Sequence, residues 1–212
     1  MLEKLPGAVG HVLREQRAGL EQIASTLAQP RLGVPPIQIS SLAFADHMPI
    51  PAEYTADGAG VSPPLQWHGV PPGAASLVLI VEDADAPTPR PLVHAIAVGL
   101  DPRDGSLPAG ALRPGSADEA GFRLGRNSYL QTAWLPPDPP PGHGVHRYAF
   151  QLFALEVDPG LSGKPGRDEV LEALQEHALA CGCLIGTYER PDGSVKAGDK
   201  RAAVASRPDA TA

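Results

Sequence analysis

Asp83 and Asp85 end an apolar stretch, in Glu82-Asp83-Ala84-Asp85-Ala86-Pro87. His94 opens the next apolar run, and His146 with Tyr148 opens a third. Two carboxylates this close shift each other's pKa and can hold a neighbouring imidazole cationic. An imidazole and a phenol are good donors to an anionic oxygen. The same residues have plainer readings: a turn after a strand for the two aspartates, and a hydrogen-bonded core residue for His94.

Other chemistries fit less well. Asp83, Asp85, His94, His143 and His146 could be drawn as a metal set, yet no HxxxH or CxxC spacing supports one. His177, Cys181 and Cys183 match no common zinc spacing, and small buried cysteines are ordinary core residues. A Ser/His/Asp hydrolase would need Ser62 or Ser128 as nucleophile, and no GxSxG elbow is present. Phosphate-cradling glycine loops of the P-loop or dinucleotide kind are missing too. No metal and no cofactor is expected.

The elements that must position these side chains can be read from periodicity. Leu77 to Val81 is apolar at every position, as in a central strand covered on both faces. Leu92 to Leu100 reads as a second strand, with Leu92, His94, Ile96 and Val98 on one face. Arg147 to Val157 reads as a third, with Tyr148, Phe150 and Leu152 sharing a face opposite Arg147. Asp83 would then end one strand while His94 and His146 begin two others, which gathers all three at one mouth. Ile37, Ile39, Leu42 and Phe44 suggest an earlier bulged strand. Residues 167–180 carry a helical repeat, and a short strand, Leu184 to Tyr188, follows. Residues 2–29 read as helical, with Leu2, Leu5, Val9, Val12 and Leu13 and then Leu20, Ile23, Ala24 and Leu27 at helical spacing, and Gly19 permits a break between them.

Composition agrees with a strand-and-loop fold. The 212 residues include 23 Gly and 25 Pro, together about twice the usual share of roughly 12%. With 42% hydrophobic residues a core can form, so the excess belongs to turns rather than to disorder. Much of it lies between residues 101 and 146, a stretch long enough to suggest a functional loop. The run Pro136-Pro137-Asp138-Pro139-Pro140-Pro141-Gly142 leads into His146 and would stiffen one wall of a hollow. The net charge of −7 argues against a nucleic-acid binder. No apolar run approaches the ~20 residues that span a bilayer. No cationic stretch precedes an apolar h-region, so the cytoplasm is the expected compartment.

Four segments carry a resemblance. They are Ile50-Pro51-Ala52-Glu53-Tyr54-Thr55-Ala56-Asp57-Gly58 with Ser62-Pro63-Pro64-Leu65-Gln66-Trp67; Leu77 through Pro87 followed by His94; Pro140-Pro141-Gly142 with Gly144-Val145-His146-Arg147-Tyr148; and Gly186-Thr187-Tyr188-Glu189-Arg190. In order and spacing this resembles the phosphatidylethanolamine-binding protein family, in its bacterial Raf-kinase-inhibitor-like branch. Ala84, Ala56 and Gly60 depart from the family's usual proline, cysteine and asparagine. The resemblance implies a mainly β fold, an antiparallel β-sandwich with a few peripheral helices. It also implies a pocket for a small anion such as phosphate or phosphoethanolamine, and carries pocket roles onto Asp83, His94, Pro140, His146 and Tyr148. With Asp85 from the carboxylate pair, these form the expected ligand-binding set. Further implications are a non-enzymatic protein, a kinase or protease as partner, and a homodimer. The competing expectation is a phosphoester or ester hydrolase with His94 or His146 as general base. The expected organisation is a helical extension at 1–29, a Pro/Gly linker at 30–36, the binding domain at 37–190 and a flexible tail at 191–212.

Overall fold

The computed structural model describes residues 7–190. The helical positions Leu2 and Leu5 and the tail from residue 191 lie outside the described residues. Among the described residues nine strands form two sheets. A three-stranded sheet has the order β1 (Gln38–Ser40), β3 (Leu65–His68), β6 (Gly105–Leu107). A six-stranded sheet runs β2 (Met48–Pro49), β9 (Ala178–Tyr188), β8 (His146–Leu155), β4 (Ser76–Asp83), β5 (Leu92–Leu100), β7 (Arg123–Leu124). Every pairing is antiparallel, as expected, except the two-residue parallel pairing of β2 with β9.

β4 lies between β5 and β8, and all eight of its residues are buried. Leu77, Leu79 and Val81 face the core between the sheets, with Tyr148, Phe150 and Leu152 of β8 and Leu65 and Trp67 of β3. Val78 and Ile80 face the other way, onto α2 (Ala24–Ala28) and α4 (Arg167–His177), through Ala24, Ala28, Val170 and Leu174. Burial on both faces explains the unbroken apolar run.

Several expectations about elements need correction. The N-terminal segment holds two short helices, α1 (Gly7–Leu13) and α2, with a 3-10 turn at Leu20–Gln22. Between them the backbone leaves the helix to bond elsewhere: Ala18 N–H donates to Ala86 O and Gly19 N–H to Ala84 O. The early strand stops at Ser40, and Leu42 is exposed. α4 ends at His177 and runs directly into β9, so strand replaces helix from Ala178 onward. Pairing with β8 along its length overrides the weak strand preference of Ala, Gly and Cys there. The 101–146 stretch contains β6, a helical turn α3 (Ser116–Glu119) and β7.

The correction that matters most concerns His94. Val81 pairs with Ala95, and the next β4 residue, Glu82, pairs with Val93. His94 is the extra residue of a β-bulge, and parity changes across it. Ile96, Val98 and Val93 face the helices, whereas the His94 ring meets Tyr148 and Trp134 in the core between the sheets. His94 therefore does not share a face with Ile96 and Val98.

Candidate ligand site at the strand ends

A cavity of about 660 Å³ opens where β4 ends and β5 and β8 begin. Asp83, His94 and His146 line it, as do Leu135, Pro136, Asp138, Pro139 and Pro140 of the proline-rich loop. Ala56, Gly58, Ala59 and Gly60 form the facing rim, and Leu13 of α1 adds a wall. The lining is mostly apolar, with a few convergent polar groups, as is usual for small-molecule sites.

His94 is 3% exposed. Leu135 binds it from both ends: Leu135 N–H donates to His94 O, and His94 Nδ1 lies 2.6 Å from Leu135 O. A carbonyl only accepts, so Nδ1 carries the hydrogen and Nε2 holds the lone pair in the neutral ring. Nε2 has no hydrogen-bond partner. Burial pulls the His94 pKa down; Asp83 opposes this and does not overcome it. The Tyr148 ring stands edge-on to His94 at 5.1 Å. Tyr148 does not line the cavity. It is fully enclosed, its hydroxyl is also without a partner, and burial raises its pKa well above the usual value.

His146 is engaged at both nitrogens. Nδ1 is 2.7 Å from Asp83 Oδ2, and Nε2 is 2.7 Å from His143 Nδ1. His143 in turn places Nε2 2.8 Å from Leu13 O. The second oxygen of Asp83 accepts from Asp85 N–H at 2.9 Å. Asp85, expected in the ligand set, does not line the cavity. Its carboxylate takes the Arg147 backbone N–H at 2.9 Å and the Arg147 guanidinium through Nε and Nη2 at 2.7 Å each. Arg17 Nη1 adds an ion pair at 3.0 Å. Burial pushes the Asp85 pKa up, and the two arginines outweigh it and hold it low. Asp85 thus braces the wall behind the site.

The rim is fixed from β9's end. Arg190 is 1% exposed. It reaches Asp57 at 2.9 Å and 3.0 Å, Asp138 Oδ1 at 2.5 Å and Pro139 O at 3.3 Å. Tyr188 Oη also donates to Asp57. One guanidinium so ties the loop carrying Ala56–Gly60 to the proline-rich loop. Among the described residues no group of three or more His, Cys, Asp or Glu is arranged to hold a metal ion.

Sequence reasoning brought Asp83, His94, Pro140 and His146 to the site. It missed Leu13, Arg17, Asp138, Arg190 and the linking role of His143. Arg190 stood within a recognised segment without a role. Leu13 and Arg17 carry no local signal, because their partners at the site, His143, Val145 and Asp85, all come from distant segments.

The phosphatidylethanolamine-binding protein family profile matches residues 40–189. A UPF0098 protein of Pyrococcus abyssi is 36% identical over 155 residues, 73% of this chain and 85% of that one. A UPF0098 protein of Methanothermobacter thermautotrophicus is 38% identical over 159 residues, 73% of this chain and 99% of that one. Among solved structures, a phosphatidylethanolamine-binding protein homolog from Chlamydia trachomatis superposes with a TM-score of 0.66 at 36% identity, covering 73% of this chain and 98% of that one. YbcL of E. coli superposes at 0.68 with 25% identity, covering 73% and 99%.

Proposed function

The chain belongs to the phosphatidylethanolamine-binding protein family, and from that premise we propose that it is a non-catalytic binding protein whose cavity receives a small anionic group, such as a phosphate-like head group. The observation that carries this reading is the free Nε2 of His94, buried at the cavity wall. A buried polar atom without a partner costs about 1–3 kcal/mol, and an acidic ligand O–H that gives its proton to Nε2 would relieve that cost. Protonation at Nε2 turns His94 into a cationic donor to the oxyanion left on the ligand.

The acidic groups around the cavity do not oppose an anion. Asp83 faces an imidazole N–H of His146, and Asp138 faces the Arg190 guanidinium. His146, expected to donate to the ligand directly, has both nitrogens in use. The same occupancy argues against His146 as a general base. His94 lines a cavity that contains no serine or cysteine nucleophile, which argues against turnover by covalent catalysis.

Phosphate and phosphoethanolamine, titrated separately, are expected to raise the melting temperature of the wild type. His94→Ala is expected to remove the shift while the protein stays folded. An equal shift in His94→Ala would show that the anion binds elsewhere.

A further inference from the structure

Four groups stand in line from β4 to the N-terminal segment: Asp83, His146, His143 and the carbonyl of Leu13. Their three contacts measure 2.7, 2.7 and 2.8 Å, and each needs one hydrogen. The Leu13 carbonyl can only accept, so His143 must carry its hydrogen on Nε2. In a neutral His143 ring Nδ1 is then a lone pair, and His146 Nε2 donates to it. The contact with Asp83 needs a further hydrogen, on His146 Nδ1. Two neutral imidazoles and a carboxylate supply two hydrogens; the docked chain holds three. Of the two rings only His146 lies against a carboxylate, and that contact keeps the third hydrogen and its positive charge on His146.

Without the Leu13 carbonyl the count changes. His143 can place its hydrogen on Nδ1 and donate to His146 Nε2. His146 then donates from Nδ1 to Asp83, and two hydrogens suffice. The extra proton is therefore demanded by a backbone carbonyl in a segment outside the matched residues 40–189. Charged groups near His143 also include Arg17, on the same N-terminal segment, and Arg14, close to Gly144.

The segment is built to stay in place. Gly10 sits on the backbone of Pro141 so tightly that a Cβ would overlap the Pro141 carbonyl oxygen. Arg17 donates to Val145 O at 2.8 Å and His143 O at 3.0 Å, and pairs with Asp85.

We infer that residues 7–19 are a working part of the site: docking of Leu13 charges His146, and that cation draws the anion into the cavity. The link to binding rests on the cavity being an anion site, while the proton count does not. Docking takes up one proton, so it strengthens as pH falls through the histidine range. It persists until Asp85 is protonated and releases Arg17. An anion in the cavity favours the docked state in turn, since the coupling is reciprocal.

The test uses the full-length chain and two undocking variants, Gly10→Val and Arg17→Met, each checked for folding by its melting transition. Cleavage by trypsin after Arg14 reports undocking and is expected to accelerate about tenfold. Side-chain nitrogen NMR at pH 7 is expected to show His146 as an imidazolium in the wild type and as a neutral ring in the undocked variants. Phosphoethanolamine affinity is expected to fall about tenfold with it. His146 signals that do not change on undocking overturn the inference. Binding that is equally tight in docked and undocked protein overturns its link to the ligand. A wild type that binds no phosphoethanolamine strikes the reading of the cavity, and the histidine signals then decide the proton count alone.

Discussion

His94 differs from His146 in having a ring nitrogen to spare. Leu135 fixes its tautomer, burial keeps it neutral, and the bulge aims it into the cavity. This has a consequence for stability. The folded pKa lies below the unfolded value, so the unfolded chain takes up a proton first as pH falls. The His94 contribution is complete above the unfolded pKa of about 6.5 and is lost as pH drops toward the folded value. Melting temperatures at pH 7.5 and 5.5 are expected to fall less in His94→Gln than in the wild type. An identical fall in both would place the titrating group elsewhere. Residue types and order made Asp83, His94 and His146 legible as a cluster. The plain turn reading held for Asp83 and Asp85 as well, since Asp83 caps the Asp85 N–H while serving His146.

At the scale of elements, alternation located the strands and failed at their irregularities. Leu77 to Val81 and Tyr148, Phe150, Leu152 were read on the faces they occupy. The bulge in β5 was invisible, because two-against-one pairing is set by the neighbouring strand and leaves no local mark. β9 was mostly missed because its small residues answer to close approach: a Cβ at Gly182 would overlap the Ile37 carbonyl oxygen, and one at Gly186 would meet Phe44 at 2.8 Å. The rim loops depend on Arg190 in a comparable way, through partners supplied by distant segments. Arg190→Met leaves Asp57 and Asp138 without their shared cation, and removing one partner of a buried ion pair costs about 3 kcal/mol or more. Urea unfolding is expected to show a loss of that size together with weaker phosphoethanolamine binding. A loss below about 1 kcal/mol, the range of a surface ion pair, would mean that the clamp is dispensable.

At the scale of the molecule, two sheets enclose the main core, helices cover the outer face of the larger sheet, and a cavity lies at the ends of three neighbouring strands. Part of the glycine and proline excess is loop structure around this cavity, in the segments at 56–60 and 135–140. The N-terminal segment, read as a helical extension, leaves the helix after Leu13, and residues 13–19 reach the site. All of this converges on one atom, Nε2 of His94. The most direct test follows its nitrogen resonance at neutral pH while phosphoethanolamine is added. The expected result is a move of Nε2 from an unprotonated to a protonated signal as the ligand saturates, with Nδ1 still bonded to Leu135. Saturation of the protein with no change at His94 Nε2 would contradict the account.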